Sequence, residues 1–323
     1  MKSFEHVNAG SLDEAIAQLK NYEGNANLIA GGTDLLGILK GEILPKYPEA
    51  VINIKTIPGL DGIEEDEEGL RIGALAKLSK IAGSAEVRKH YGSLAEASES
   101  VGSPELRNMA TLGGNLCQDN RCWYYRYPHQ MGGRILCYRK GKGPCLAVKG
   151  DNRYHAILGG KKCFAVCPSD TAIALTALDA RIRIAAPGGE RIIPIIEFYD
   201  TLGSILKPDE MVTGIYVPRP PEDAAQTFHK FRMREAIDFA VVSVACLISK
   251  SDGVCRDARI VLGAVAPIPY RASAAEDAIK GKALNEETAA AAAEAAVKDA
   301  KPLSQNAYKI EITKTLVKRA VLS

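Results

Sequence analysis

Residues 27–36, Asn27-Leu28-Ile29-Ala30-Gly31-Gly32-Thr33-Asp34-Leu35-Leu36, run from a short apolar strand pattern through a glycine pair into a helix pattern. A second pair stands in Ala110-Thr111-Leu112-Gly113-Gly114-Asn115, beyond a helix pattern over residues 94–101. Neither stretch has the spacing of a G-x-G-x-x-G or P-loop motif. Each does set a hydroxyl residue beside two residues without a Cβ, so backbone can approach a ligand closely and successive N–H groups can converge on a phosphate. A helix starting at Thr33 would add its positive end. Two such loops could grip the pyrophosphate of a dinucleotide from both sides, and two ordinary turns remain the plainer reading of the residues alone. Asp34 would repel a phosphate unless its carboxylate turns away.

Outward from the first loop, residues 1–56 read as a small α/β unit. Ser11-Leu12-Asp13-Glu14 has the form of a capping box at a helix start, and Ala15, Ile16 and Leu19 supply that helix's apolar stripe. Val51-Ile52-Asn53-Ile54 is a second strand. Residues 57–219 continue the alternation, with a strand at 70–74, helices from 77 and over 94–101, a helix at 170–178 and a hairpin of 181–185 with 191–195 around Pro187-Gly188-Gly189. Pro218-Arg219-Pro220-Pro221 cannot continue a helix or a central strand and marks a linker. Residues 222–323 then give strands at 240–248 and 258–265 and two helices, 271–279 and 286–298. The expected fold class is α+β.

Bulk composition narrows the function. The chain has 323 residues, 46% hydrophobic and 25% charged, with a net charge of +2. That is long enough for two or three compact units and gives no electrostatic case for nucleic acid or an anionic membrane. No run approaches the ~20 apolar residues of a membrane span. The N-terminus carries no secretory pattern, so the cytoplasm is the expected compartment, with export through a partner's signal left open.

Cysteine placement is the sharper signal. Six of the eight cysteines fall between residues 117 and 167, spaced Cys117-x4-Cys122-x14-Cys137-x7-Cys145-x17-Cys163-x3-Cys167. Without a secretion signal, such clustering favours metal or redox chemistry over disulfides. Between them lie Trp123-Tyr124-Tyr125, several glycines and the basic residues Arg121, Arg126, Arg134, Arg139, Lys140 and Lys142, a poor set for building a core alone. Zinc prefers paired C-x2-4-C knuckles, which are mostly absent. A cuboidal 4Fe-4S cluster needs four thiolates that can come from widely spread positions, and its negative charge suits the basic neighbours. Spacing does not choose four ligands out of six.

Taken together, five landmarks resemble the FAD-binding medium subunit of the xanthine dehydrogenase family of molybdenum hydroxylases. They are the stretches 30–36 and 107–115, Pro168-Ser169-Asp170, residues 230–240 and Gly263-Ala264-Val265-Ala266-Pro267. The resemblance implies a two-lobed FAD-binding domain of the vanillyl-alcohol-oxidase (PCMH) type over 1–219, with lobes of about 1–56 and 57–219. A smaller α+β C-terminal domain of the CO dehydrogenase flavoprotein type would follow over 222–323. It puts Ile29, Ala30, Gly31, Gly32, Thr33, Asp34 and Leu35 on the FAD pyrophosphate, with Thr111, Gly114 and Asn115 facing the phosphates from the second loop. Asp170 would accept from a ribityl hydroxyl and Lys230 would contact the flavin-ring side. Read without the resemblance, Asp170 would be a helix cap and Lys230 a solvated strand residue.

The long insertion 117–167 is similar to the one that holds a 4Fe-4S cluster in 4-hydroxybenzoyl-CoA reductase and in bacterial aldehyde oxidoreductases. By that similarity the ligands are Cys122, Cys137, Cys145 and Cys163, leaving Cys117 and Cys167 extra. The implied function is an electron-transfer subunit of a heterotrimeric oxidoreductase, with no catalytic residue of its own. A large molybdopterin subunit would handle an aldehyde, N-heterocycle or aromatic acyl-CoA substrate. A small 2Fe-2S subunit would relay electrons, and ferredoxin, NAD or another carrier would complete the chain. The competing expectations are a self-contained flavin oxidoreductase and a zinc-stabilised scaffold protein.

Overall fold

A computed structural model describes residues 1–133 and 135–323; Arg134, among the basic residues of the insertion, lies outside the described residues. The first unit is a three-stranded parallel sheet in the order β1 (Glu5–Asn8), β3 (Ala50–Asn53), β2 (Ala26–Ile29). Helix α1 (Leu12–Asn21) connects β1 to β2. The Ser11 hydroxyl caps α1 by accepting from Glu14 N at 3.1 Å, while Glu14 reaches past the cap residue to accept from Gly10 N. Ala15, Ile16 and Leu19 are buried, as the stripe predicts.

Helix α2 (Leu35–Gly41) follows the first glycine loop, and here the expectation fails. The helix starts at Leu35, not Thr33, and Asp34 stands at the cap position without a capping side-chain bond. Gly32 takes φ +70°, a left-handed turn that delays the first helical residue.

The second unit is an antiparallel sheet in the order β4 (Ile63–Glu65), β5 (Gly69–Gly73), β10 (Met211–Pro218), β6 (Arg181–Ala186), β7 (Gly189–Pro194). The predicted hairpin pairs Arg181 with Pro194 and Ala186 with Gly189. Five helices pack with this sheet, α3 (Leu78–Gly83), α4 (Ala85–His90), α5 (Gly92–Glu99), α7 (Leu112–Leu116) and α8 (Asp170–Ala177), and α6 (Pro104–Met109) lies outside them against α3. Leu70, Ile72, Leu94, Leu112, Leu175 and Ile182 are fully buried between the layers. Each such side chain contributes about 1.5–3 kcal/mol relative to exposure. A two-stranded ladder, β8 (Tyr199–Asp200) with β9 (Gly203–Ser204), closes the edge.

The third unit is an antiparallel sheet, β11 (Ala224–Phe231), β12 (Val242–Ser251), β13 (Val254–Gly263), β14 (Tyr270–Arg271). It carries three helices rather than the two expected: α9 (Ser273–Ile279), α10 (Glu286–Ala296) and α11 (Tyr308–Leu322). Helix α11 buries Lys309 and Thr313 at the head of a stripe that continues as Leu316, Val317, Ala320 and Val321, so polar residues disguise its apolar period. Helix α8 lies between the second and third sheets, with Ile173, Ala174 and Ala177 packed against Phe228, Ala245 and Val261. Among the described residues, no helix is long and apolar enough to cross a membrane.

Candidate functional site

The two glycine loops meet. A Cβ on Gly31 would stand 2.1 Å from the carbonyl oxygen of Met109 and 3.0 Å from Cα of Ala110, so only glycine lets the first loop lie against the second. The cleft beside this contact, about 550 Å³, is lined by Ile29, Ala30, Gly31, Gly32, Thr33, Asp34 and Leu35 together with Thr111 and Gly114. The segment from Leu202 to Met211 supplies part of the opposite wall, a contribution no sequence motif signals. The hydroxyl of Thr111 accepts from Gly114 N at 3.2 Å, so it caps α7 and presents backbone more than hydroxyl to the cleft.

Thr33, Asp34, Gly114 and Gln118 also line a second cavity, which extends the cleft past Asn115 to Asp170 and Lys230. Asn115 Oδ1 accepts from Ser169 Oγ at 2.6 Å and Thr171 Oγ1 at 2.7 Å, tying the second loop to the start of α8. Ser169 caps that helix, so the expected capping role falls to Ser169 rather than Asp170. Lys230 is not a solvated strand residue. Its Nζ donates to Asp170 Oδ2 at 2.6 Å with both side chains almost fully buried, and to the Ser100 carbonyl at 3.0 Å. Burial pushes the Asp170 carboxyl above its ordinary value, against the pull of Lys230 and Arg232.

Asp34 has turned away from the glycine loop. Its Oδ1 accepts from Arg121 Nη1 at 2.5 Å and Arg126 Nη2 at 2.7 Å, and its Oδ2 accepts from Asp119 N at 2.8 Å. Two guanidiniums of the insertion therefore neutralise the carboxylate that would otherwise face a phosphate. Arg139 continues the latch, donating to the Leu202 carbonyl and, at 3.3 Å, to Asp119.

Among the described residues of 117–167 that follow α7 there is no strand and no α-helix, only three single 3-10 turns, 129–131, 138–140 and 146–148. The insertion borrows a small core from its neighbour, where Tyr125 and Cys137 pack on Ile38 and Ile43 at and beyond α2. Cys122, Cys137, Cys145 and Cys163 line one small cavity with Tyr124, Tyr125 and Tyr138. The cavity excludes the two cysteines set apart as extra, for Cys117 opens onto the glycine-loop cleft and Cys167 onto a third cavity beside Asp170. Among the described residues no three His, Cys, Asp or Glu side chains converge to hold a single metal ion, so the four sulfurs form a wall rather than a closed ion cage. Burial pushes the Cys122 thiol up to about 11, and the backbone N–H groups of Tyr125 and Tyr124 pull the other way, towards thiolate.

The insertion is also fastened to the C-terminal unit. Ile157 N and Leu158 N donate to the Val265 carbonyl, and Cys167 N to that of Ala266. Asn306 Nδ2 and Lys309 Nζ donate to the His155 carbonyl, each at 3.1 Å, and Lys309 Nζ also to Ala264 O at 2.6 Å. Lys309 is fully buried, and that burial pushes its ammonium down to about 7.

Residues 2–220 match the FAD binding domain in molybdopterin dehydrogenase, and residues 226–323 match the CO dehydrogenase flavoprotein C-terminal domain. The chain is 35% identical to the aldehyde oxidoreductase FAD-binding subunit PaoB of Escherichia coli (strain K12), over 97% of this chain and 96% of that one. It is 28% identical to the carbon monoxide dehydrogenase medium chain of Hydrogenophaga pseudoflava, over 98% and 96%. A solved structure of carbon monoxide dehydrogenase from that organism superposes with a TM-score of 0.79 at 27% identity, covering 99% of this chain and 96% of that one. With family models matching both parts of the chain and a relative 35% identical over nearly its full length, the chain belongs to the FAD-binding medium subunits of the xanthine dehydrogenase and carbon monoxide dehydrogenase family, and is an oxidoreductase subunit.

Proposed function

We propose that this chain is the FAD- and 4Fe-4S-carrying electron-transfer subunit of a multi-subunit molybdenum hydroxylase whose substrate is handled on a separate molybdopterin subunit, with a 2Fe-2S subunit between them. We read residues 1–219 as its FAD-binding domain and 222–323 as its C-terminal domain. The observation that carries the cluster is the single small cavity walled by Cys122, Cys137, Cys145 and Cys163.

The residues fit both groups. Backbone of 29–35, apposed to 109–111 through Gly31, would hold the pyrophosphate, with Gly114 and Asn115 beside it. Asp34 stays clear because Arg121 and Arg126 hold it. Asp170 and Lys230, locked together at the far end of the cleft, would orient the ribityl and ring portions. Flavin exchanges electrons singly with iron–sulfur centres and in pairs with a final acceptor, which is the chemistry the bound groups would supply. A bound metal centre would hold the four cysteines as thiolates and take up their charge.

Anaerobic purification of the complex with iron, labile-sulfide and flavin analysis tests the reading. The expected result is one flavin and about four irons per chain beyond those of the partner's clusters. Substituting Cys145→Ser should remove those irons and leave the flavin. Zinc in place of iron, or no flavin, would overturn it.

A further inference from the structure

Cys122 differs from the other three cysteines of the small cavity. It alone among them also lines a larger cavity, about 490 Å³, which runs past Trp123, His155 and Cys167 to Asp170 and Phe239. Asp170 in turn belongs to the flavin-side end of the cleft. Cys122 is therefore the common wall between the space assigned to the inorganic centre and the space leading to the flavin.

At that wall, Nε2 of His155 lies 3.3 Å from the Cys122 sulfur. The histidine is 3% exposed and held from several sides. Its ring packs edge-on against Trp123 at 5.7 Å, its backbone N–H donates to Asn152 O, and its backbone carbonyl accepts from Asn306 and Lys309. Nδ1 is buried and, among the described residues, has no hydrogen-bond partner. A neutral imidazole carries one N–H, and among the described residues sulfur is the one acceptor within reach of the ring, so the proton belongs on Nε2. A metal-bound Cys122 thiolate has no proton to offer and can only accept. The contact then becomes an N–H···S hydrogen bond.

We propose that His155 is a positioning residue for the cluster, donating Nε2–H to the Cys122 sulfur, so that it orients the ligand on the flavin side and raises the reduction potential of the centre. This rests on the cluster reading above. Hydrogen bonds to cluster sulfurs favour the more negative, reduced state, and outer partners of metal ligands tune the metal they surround. When a one-electron reductant adds its electron, His155 keeps its proton; no bond breaks, and only the hydrogen bond to sulfur strengthens.

The test is a redox titration of the intact complex, followed by the low-temperature electron paramagnetic resonance of each centre, with His155→Phe and His155→Gln beside the unmutated protein. The Phe variant should keep its iron and flavin. At a fixed potential, its ratio of reduced to oxidised 4Fe-4S centre should fall roughly tenfold, a midpoint about 59 mV more negative, while the partner's clusters titrate unchanged. The Gln variant, which keeps an N–H donor, should recover part of the shift. An unmoved midpoint in the Phe variant, or equal shifts in Phe and Gln, would overturn the inference. Should Phe lose its iron, Gln decides: a loaded centre near the original midpoint supports the role, an empty one refutes it. Iron analysis of the unmutated complex separates the two failures, since an absent cluster removes the functional reading and this inference together, whereas a loaded centre of unmoved potential removes this inference alone.

Discussion

Single residues carry the contact between the two loops. Gly31 has no room for a side chain, and a methyl group there would push against the Met109 carbonyl. Gly31→Ala should cost about 1–3 kcal/mol, as overpacking does, and open the cleft. The flavin-to-protein ratio of the purified variant, read from absorbance, should drop severalfold. Lys309 makes a prediction about pH. Its side chain is buried near the start of α11, and that burial pushes the ammonium down to about 7 against an ordinary 10.5. Below pH 7 both folded and unfolded chains bind the proton, and the folded state bears the full penalty. Between pH 7 and 10.5 the unfolded chain binds more protons than the folded one, so this residue's contribution to stability rises with pH. The slope is up to about 1.4 kcal/mol per pH unit. Denaturant midpoints at pH 7 and 9 should show this rise, and Lys309→Met should flatten it. The glycine pairs were legible in the sequence as backbone-approach sites; Lys309 was not, because a lysine at a helix start gives no sign that it will be enclosed.

Among the elements, the insertion 117–167 is organised by partners outside itself. Asp34, at the start of α2, receives two guanidiniums and a backbone N–H from it, and its side chain is 16% exposed. Asp34→Asn would strand Arg121 and Arg126 half-buried, at a cost of about 2 kcal/mol, somewhat below that of breaking a fully buried pair. Opening of the insertion should increase about 30-fold, and limited tryptic cleavage within it should accelerate correspondingly, provided opening is fast relative to cleavage. Unchanged cleavage would show that the latch is dispensable. The sequence marks the carboxylate as a problem for a phosphate site, yet the solution lies 87 and 92 residues further on. No local pattern links such positions. Helix α11 was illegible for a related reason, since it buries Lys309, whose partners come from elsewhere in the chain, and the burial of Lys230 on β11 was hidden likewise, its partner Asp170 lying 60 residues away.

For the whole molecule, the Asp170–Lys230 pair joins α8 to β11 and so ties the C-terminal sheet to the cleft. A buried pair of this kind is costly to break from one side and cheap to replace from both. Asp170→Asn alone should lower the thermal midpoint more than the double variant Asp170→Asn, Lys230→Met does. Additive losses, measured by thermal unfolding of the cofactor-loaded complex, would contradict that coupling. Lys309, Asn306 and Asn152 tie the insertion to the C-terminal helix, so loss of the C-terminal unit should also loosen the cysteine cavity.

The sequence by itself determined the strand–glycine–helix unit, the second glycine loop, the alternating hairpin and the crowding of cysteines, because each is a local or periodic property of neighbouring residues. Only the tertiary structure decided that the four cysteines singled out by the resemblance share a cavity, that Gly31 faces Met109, that Asp34 turns to Arg121 and Arg126, and that His155 meets Cys122. Those outcomes depend on distances between residues far apart in the chain, set by how three packed units close on one another. Spacing along the polypeptide carries no measure of that closure.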